Sequence, residues 1–329
     1  MTSLVAGLVG CGVGDPTAPP GRPPRPRPPE PVREVDPVGD LTGLDAATRR
    51  CFTDTRGFEP LPPPAAGSWR VLRPEPAQDV AQYLATRPNV PAPPRDRIVL
   101  MPLGHFPFDV IADEDFVGLV RAPELLAVAR FVEATFGLAT EVLPAAPLPE
   151  ELPTRVHRRA RQTSALALIE HVGARLPAQA YGVLALVTVD LFVWPEQQFA
   201  FGYSTFTERI GVAGFARFDP SYHGGPAPID LAGTVLRRSL RVVAHEVAHL
   251  FGLAHCQYYR CLCNGVADLA ELDALPPWLC PVCLCKLQRA TGLDPIVQHR
   301  AVLRAFESLD LFDEAGWMRD RLARIGVAA

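Results

Sequence analysis

His245, Glu246, His249 and His255 lie together in the run "AHEVAHLFGLAH". Two histidines four apart on a helix point from the same face about one turn apart, which suits two neutral imidazoles reaching a single Zn2+. Glu246 directly follows the first histidine, the place from which H-E-x-x-H enzymes present a general base. Gly252 can take the backbone angles that end a helix in a sharp turn, and the turned chain then offers His255 as a third ligand. H-E-x-x-H alone also occurs in unrelated helices; Gly252 and His255 extend it to the more specific H-E-x-x-H-x-x-G-x-x-H. His105, His157, His171, His223 and His299 have no such company and read as surface or satisfied core residues.

Three neutral imidazoles leave the metal its full double charge and an open fourth position. A zinc-activated water there is acidified towards neutrality. Glu246 accepts its proton as the hydroxide attacks a peptide carbonyl, then passes it to the leaving amine. The reaction expected is peptide hydrolysis without a covalent intermediate.

The cysteines raise a second metal question. Of 8, Cys11 and Cys51 are isolated while six lie between Cys256 and Cys285. A disulfide framework would spread them through a small secreted chain, whereas clustering in C-x-x-C-like spacings beside histidines favours metal thiolates. Cys256 and Cys261, with Cys280 and Cys283 of "CPVC", form two pairs across a loop. Such a set makes a closed, structural zinc site that pins the segment after His255.

The joined pattern resembles the archaemetzincins, in which the three-histidine motif of the metzincins runs directly into C-x4-C-x-M and a later C-x-x-C. "HEVAHLFGLAHCQYYRC" and "LCPVCLCKLQ" carry the resemblance, the latter being similar to the animal members. Weaker similarity extends from about Gly57 through "VDLF" and "FAFGYSTFTERIGVAGFARF" to about Ala315. The resemblance implies a metzincin-like zinc metallopeptidase domain with aminopeptidase-type activity on short peptides. It also implies two Zn2+ per chain: a catalytic one on His245, His249 and His255, and a structural one on Cys256, Cys261, Cys280 and Cys283. Cys263 departs from the pattern, standing where the family has its Met-turn methionine. Cysteine keeps a sulfur but is shorter and can ionise near a metal. Cys285 similarly stands two residues beyond Cys283. These two thiols are either bystanders, since free cysteine behaves as a small buried hydrophobe, or substitute ligands, or a redox-sensitive pair. The rival function is therefore a catalytically impaired zinc-binding module with a binding or thiol redox-sensing role. Retention of Glu246 argues against it, because a purely structural site has no use for a base.

These residues need elements to hold them. Asp230 is a plausible N-cap for a helix in which Leu236, Leu240, Val243, Val247 and Leu250 recur at helical spacing. With Val242, Ala244 and Ala248 covering much of the remaining surface, that helix is expected in the interior. Buried imidazoles there require partners. Upstream, the pattern predicts a short helix in "LTGLDAATRRCF", a strand over Arg97–Leu103 and a helix between Pro123 and Gly137. A strand over 139–143, a helix over 159–172, a continuous apolar strand over 181–194 and two short strands within 199–218 follow. The order is α/β (α+β) in character, with a mixed sheet and a buried active-site helix ahead of a zinc-braced C-terminal segment. Residues 207–218 are either the edge strand above a substrate cleft or ordinary core, and Tyr258 and Tyr259 either line that cleft or pack.

The chain has 329 residues, 48% of them hydrophobic, and a net charge of −4. The charge argues against nucleic acid or anionic membrane as main partner, and no run approaches the ~18 apolar residues of a membrane helix. Peptide or protein substrates are the expected partners. Residues 1–39 read as a disordered, proline-rich tail and 40–329 as the catalytic domain. "SLVAGLVGC" resembles a lipoprotein cleavage site ending at Cys11 but lacks a basic n-region. Thiolate chemistry favours a reducing cytoplasm; a bacterial lipoprotein anchored through Cys11 is the alternative.

Overall fold

The computed structural model describes residues 36–106, 122–158, 160–224 and 228–329. Cys11, the proline-rich tail to residue 35 and Arg159, with what was expected of them, lie outside the described residues. In chain order the elements begin with helices α1 (Ala46–Thr53), α2 (Trp69–Leu72) and α3 (Val80–Ala85) and strand β1 (Arg97–Leu103). Then come α4 (Leu125–Phe136), β2 (Ala139–Val142), β3 (Thr154–His157), β4 (Ala160–Ser164) and α5 (Ala165–Gly173). β5 (Ala180–Val187), β6 (Asp190–Phe192), β7 (Gly202–Ser204), β8 (Ile210–Gly214) and α6 (Leu231–Leu250) follow. The chain closes with α7 (Leu269–Asp273), α8 (Pro281–Thr291), α9 (Pro295–Ser308) and α10 (Phe312–Arg324).

Five strands form one mixed sheet in the order β2-β1-β5-β8-β7, parallel except for the β7–β8 pair. Every residue of β5 is buried, as a strand covered on both faces requires. Its alternate residues enter opposite cores. Leu184 and Leu186 face the core shared with α4, α6 and α9, while Val183, Ala185 and Val187 face the one closed by α5. Gly182 lets α6 approach: a Cβ there would stand 3.0 Å from Leu250 Cδ1. Asp230 caps α6 by accepting from Gly233 N, and Gly137 ends α4 at φ 66, as the sequence signals predict.

Two expectations change, and one open alternative closes. The helix predicted over 159–172 begins only at Ala165. Ser164 caps it by accepting from Ala167 N, and the residues before it form β4, paired with β3 and β6 in a separate three-stranded sheet. Within that pairing Gln162, opposite Asp190, donates to its buried carboxylate at 2.8 Å. The single strand predicted over 181–194 is interrupted after Val187, and β6 crosses to that second sheet. Of the two readings of residues 207–218, the core one describes β8, which is interior to the five-stranded sheet; the edges are β2 and β7. Val38 is already part of the main core.

Candidate active site and metal centres

Helix α6 ends beside the site in a Schellman arrangement, with Gly252 N donating to His249 O (2.8 Å), Leu253 N to Ala248 O (3.2 Å), and Gly252 at φ 76. That turn brings His255 back against His245 and His249. One donor atom from each of the three buried histidines lies within 4.8 Å of the others.

Each imidazole is oriented through its second nitrogen. His245 Nδ1 donates to Leu262 O at 2.9 Å and His249 Nδ1 to Leu253 O at 2.7 Å. A carbonyl oxygen only accepts, so both Nδ1 atoms carry the proton and both Nε2 atoms keep a lone pair. His255 Nδ1 donates to the Glu75 carboxylate at 2.7 Å. The Nε2 atoms of His245 and His249 stand 3.0 Å apart. Two lone pairs facing each other at that distance call for a cation between them, and Zn–N bonds of ~2.0–2.1 Å in a tetrahedron separate nitrogens by ~3.4 Å. Burial, then the neighbouring His255, pushes His245 down to about 3. His249 is driven well below its ordinary value by burial and then by the other two rings. Neutral imidazole is the ligand form, so the donor set fits a divalent metal.

Glu246 is buried beside these rings. Its Oε2 accepts from Ser204 Oγ at 2.7 Å, and burial lifts its carboxyl to about 8, with the Ser204 hydrogen bond opposing. A divalent cation alongside pulls in the same direction as Ser204. The carboxylate occupies a notch made by the missing side chain of Gly202, where a Cβ would lie 2.5 Å from Oε1. A cavity of about 470 Å³ opens on His245 and Glu246, walled partly by Phe199, Phe201, Val242 and Leu272. Tyr258 and Tyr259 are not among its lining residues; both pack on the core, Tyr259 edge-on to Phe58.

The second cluster lies immediately behind. One sulfur from each of Cys256, Cys261, Cys280 and Cys283 falls within 4.8 Å of the others. Cys256 and Cys280 sulfurs are 3.6 Å apart, against the ~3.8 Å that tetrahedral Zn–S bonds of ~2.3 Å give. Backbone N–H groups of Cys280 (3.2 Å) and Cys263 (3.5 Å) point at Cys261 Sγ, as they would stabilise a thiolate. Without a cation, burial holds the Cys261 and Cys280 thiols well above the ordinary range, while hydrogen bonds from its neighbours, Cys256 first, hold Cys283 well below it. Cys263 is buried against this group without joining it, and Cys285 points at Val38 O from 3.9 Å. The two clusters are mechanically joined. Leu262, which holds His245, sits between Cys261 and Cys263, and its N–H is anchored to Trp278 O. Asn264 closes the loop, accepting from Cys261 N and donating to Cys256 O, both at 2.8 Å.

The fold thus brings together every proposed ligand and the base. Sequence reading missed Glu75, Ser204, Gly202, Trp69 and Asn264. Trp69 packs edge-on to His255 at 5.3 Å and occupies the space a Gly265 side chain would need. None of these lies in a recognisable pattern, although Ser204 and Gly202 sat within "FAFGYS" and Asn264 within the cysteine cluster, both already singled out. His105, His157, His171 and His299 join no metal group among the described residues.

Residues 230–289 match Peptidase family M54. The chain is 26% identical over 299 residues to archaemetzincin-2 of Pongo abelii, covering 81% of each. It is 29% identical over 267 residues to archaemetzincin-1 of Rattus norvegicus, covering 72% of this chain and 51% of that protein. Among solved structures, archaemetzincin from Methanopyrus kandleri is 23% identical, covers 61% of this chain and 97% of that one, and has a TM-score of 0.45.

Proposed function

We propose that this archaemetzincin-like zinc metallopeptidase hydrolyses peptide bonds of short peptides in the cavity beside His245, with Glu246 as general base. The observation that supports this most is the grouping of three oriented imidazoles, one of which, His245, shares a cavity wall with the buried carboxylate of Glu246. His245, His249 and His255 would hold the catalytic zinc, and Cys256, Cys261, Cys280 and Cys283 a structural one. Zinc at the histidines supplies Lewis-acid activation of a water and of the substrate carbonyl.

The chain's own residues do the rest. Ser204 fixes Glu246 through Oε2, which leaves Oε1 to take the proton of the attacking water and return it to the departing amine. Glu75, Leu253 and Leu262 keep the three Nδ1 protons in place, so the imidazoles cannot rotate away. The apolar wall excludes bulk water from the reacting carbonyl. The aminopeptidase-type activity implied by the resemblance is the finer part of this reading.

The test is cleavage of a mixed peptide pool by the zinc-loaded protein beside its Glu246→Ala variant. Activity lost in the variant, with zinc content equal in both, is expected, and cuts one residue from the N-terminus would support the aminopeptidase form. Internal cuts would replace that form with an endopeptidase. No cleavage by the folded, zinc-loaded wild type would overturn the reading and favour a binding role in which Cys263 marks lost catalysis.

A further inference from the structure

Arg241 stands one turn before His245 on α6, between the cavity that holds His245 and Glu246 and a neighbouring one that holds Asp273 and Glu314, and it lines both. Its side chain is 12% exposed, yet its charge is poorly matched. Among the described residues its ion-pair contact is Nη1 to Asp273 Oδ1 at 4.0 Å. Asp273 is already committed, since both its oxygens accept from Arg238, at 2.8 and 2.6 Å. Glu314, the next acid, gives Oε1 to Arg237 at 2.8 Å, and its Oε2 makes no hydrogen bond to Arg241. Among the described residues Arg241 Nε has no hydrogen-bond partner. Three acids line the cavity wall: Glu246 accepts from Ser204, Asp268 caps α7, and Glu196 acts on the charge of Arg155.

A guanidinium cannot shed its proton to relieve this. It is a planar fork of donors matched to a carboxylate, and desolvation is offset when such an anion arrives. Apolar residues such as Leu72, Val242 and Leu272 flank the approach, lowering the local dielectric and strengthening the contact.

We propose that Arg241 is a specificity residue that binds a carboxylate of the peptide substrate in this cavity. The inference rests on the peptidase reading for its substrate class, but not for the anion site itself. The carboxylate is either the peptide's C-terminus or an Asp or Glu side chain, presented from the apolar part of the cavity.

Three otherwise identical peptides separate these: one with a free C-terminus and Gln, one amidated with Glu, one amidated with Gln. Binding is measured calorimetrically to zinc-loaded Glu246→Gln protein, which holds peptide without turnover, and cleavage is measured on the wild type. At least tenfold tighter binding of one carboxylate peptide over the amidated Gln peptide is expected, and which one identifies the source. Arg241→Gln should abolish the preference, and Arg241→Lys should keep part of it. Equal binding of all three peptides, or no binding, overturns the proposal on the Arg241-containing chain, whether or not the variants fold. So does a preference that persists in a folded Arg241→Gln protein. Discrimination in binding without any cleavage would sink the peptidase reading and leave the carboxylate site standing; cleavage without discrimination would do the reverse.

Discussion

Gly202→Ala tests how closely the edge strand and the base are fitted. A Cβ at this position would lie 2.5 Å from Glu246 Oε1, 2.6 Å from Cδ and 2.7 Å from Cγ. Ordinary van der Waals contact begins near 3.4 Å, so the carboxylate must retreat by roughly 1 Å, and a misplacement of that size costs about 10²-fold in rate. Glu246 has little room to move, because its Oε2 is held by Ser204 and its backbone lies in the buried part of α6. Overpacking should also lower stability by about 1–3 kcal/mol. The three atoms nearest an added Cβ all belong to Glu246 and none to a proposed metal ligand, so zinc content should be unchanged. The assay is kcat on a cleavable peptide, with zinc stoichiometry and a thermal melt on the same preparations. Gly316→Ala is the control: it lies in α10 with no atom within 4 Å of the added methyl, and should gain about 0.5–1 kcal/mol without touching kcat. A Gly202→Ala protein with wild-type kcat, while Glu246 remains essential, would refute the notch as a constraint on the base.

Three further outcomes follow from the same geometry. Glu75→Ala removes the acceptor for His255 Nδ1 and should weaken zinc at the histidine site by about 10–100-fold; chelator competition should show one zinc lost early and the cysteine-bound one retained. Cys283→Ser should lose the cysteine-site zinc and destabilise the chain, whereas Cys285→Ala, whose sulfur points at Val38 O, should keep metal stoichiometry; loss of zinc in the latter would make Cys285 a ligand. His299 is buried with Nδ1 donating to Pro295 O at 2.6 Å, and burial first, then Arg321, lowers it to about 4 from the ordinary 6.5. The unfolded chain therefore binds the extra proton first as pH falls. The stability that neutral His299 contributes is full above pH ~6.5 and is lost as pH falls through about 4, in all about 3 kcal/mol. Urea melts of the wild type and His299→Gln should converge across that window, and a constant gap would contradict the linkage.

The sequence by itself picked out the candidate ligand sets and the candidate base. Their geometry is local: four residues along a helix place His245 and His249 on one face, Gly252 turns the chain to His255, and the cysteine pairs flank one loop. The same locality made α4 and the start of α6 legible, since caps and breakers act within a turn. It failed where a distant partner took part in the conformation, as where β4 pairs with β6 in place of the helix expected there. Residues 207–218 show the limit for strands, because alternation reveals a strand but not its neighbours, and pairing put β8 in the interior and β7 at an edge. Only the tertiary structure decided which groups orient the ligands and shape the cavity. Glu75 reaches His255 across 180 residues of chain, Ser204 and Gly202 arrive on a strand edge, and Arg241 is left without a close counter-charge because Asp273 is spent on Arg238. Such pairings depend on which surfaces pack together, and no spacing along one chain encodes them.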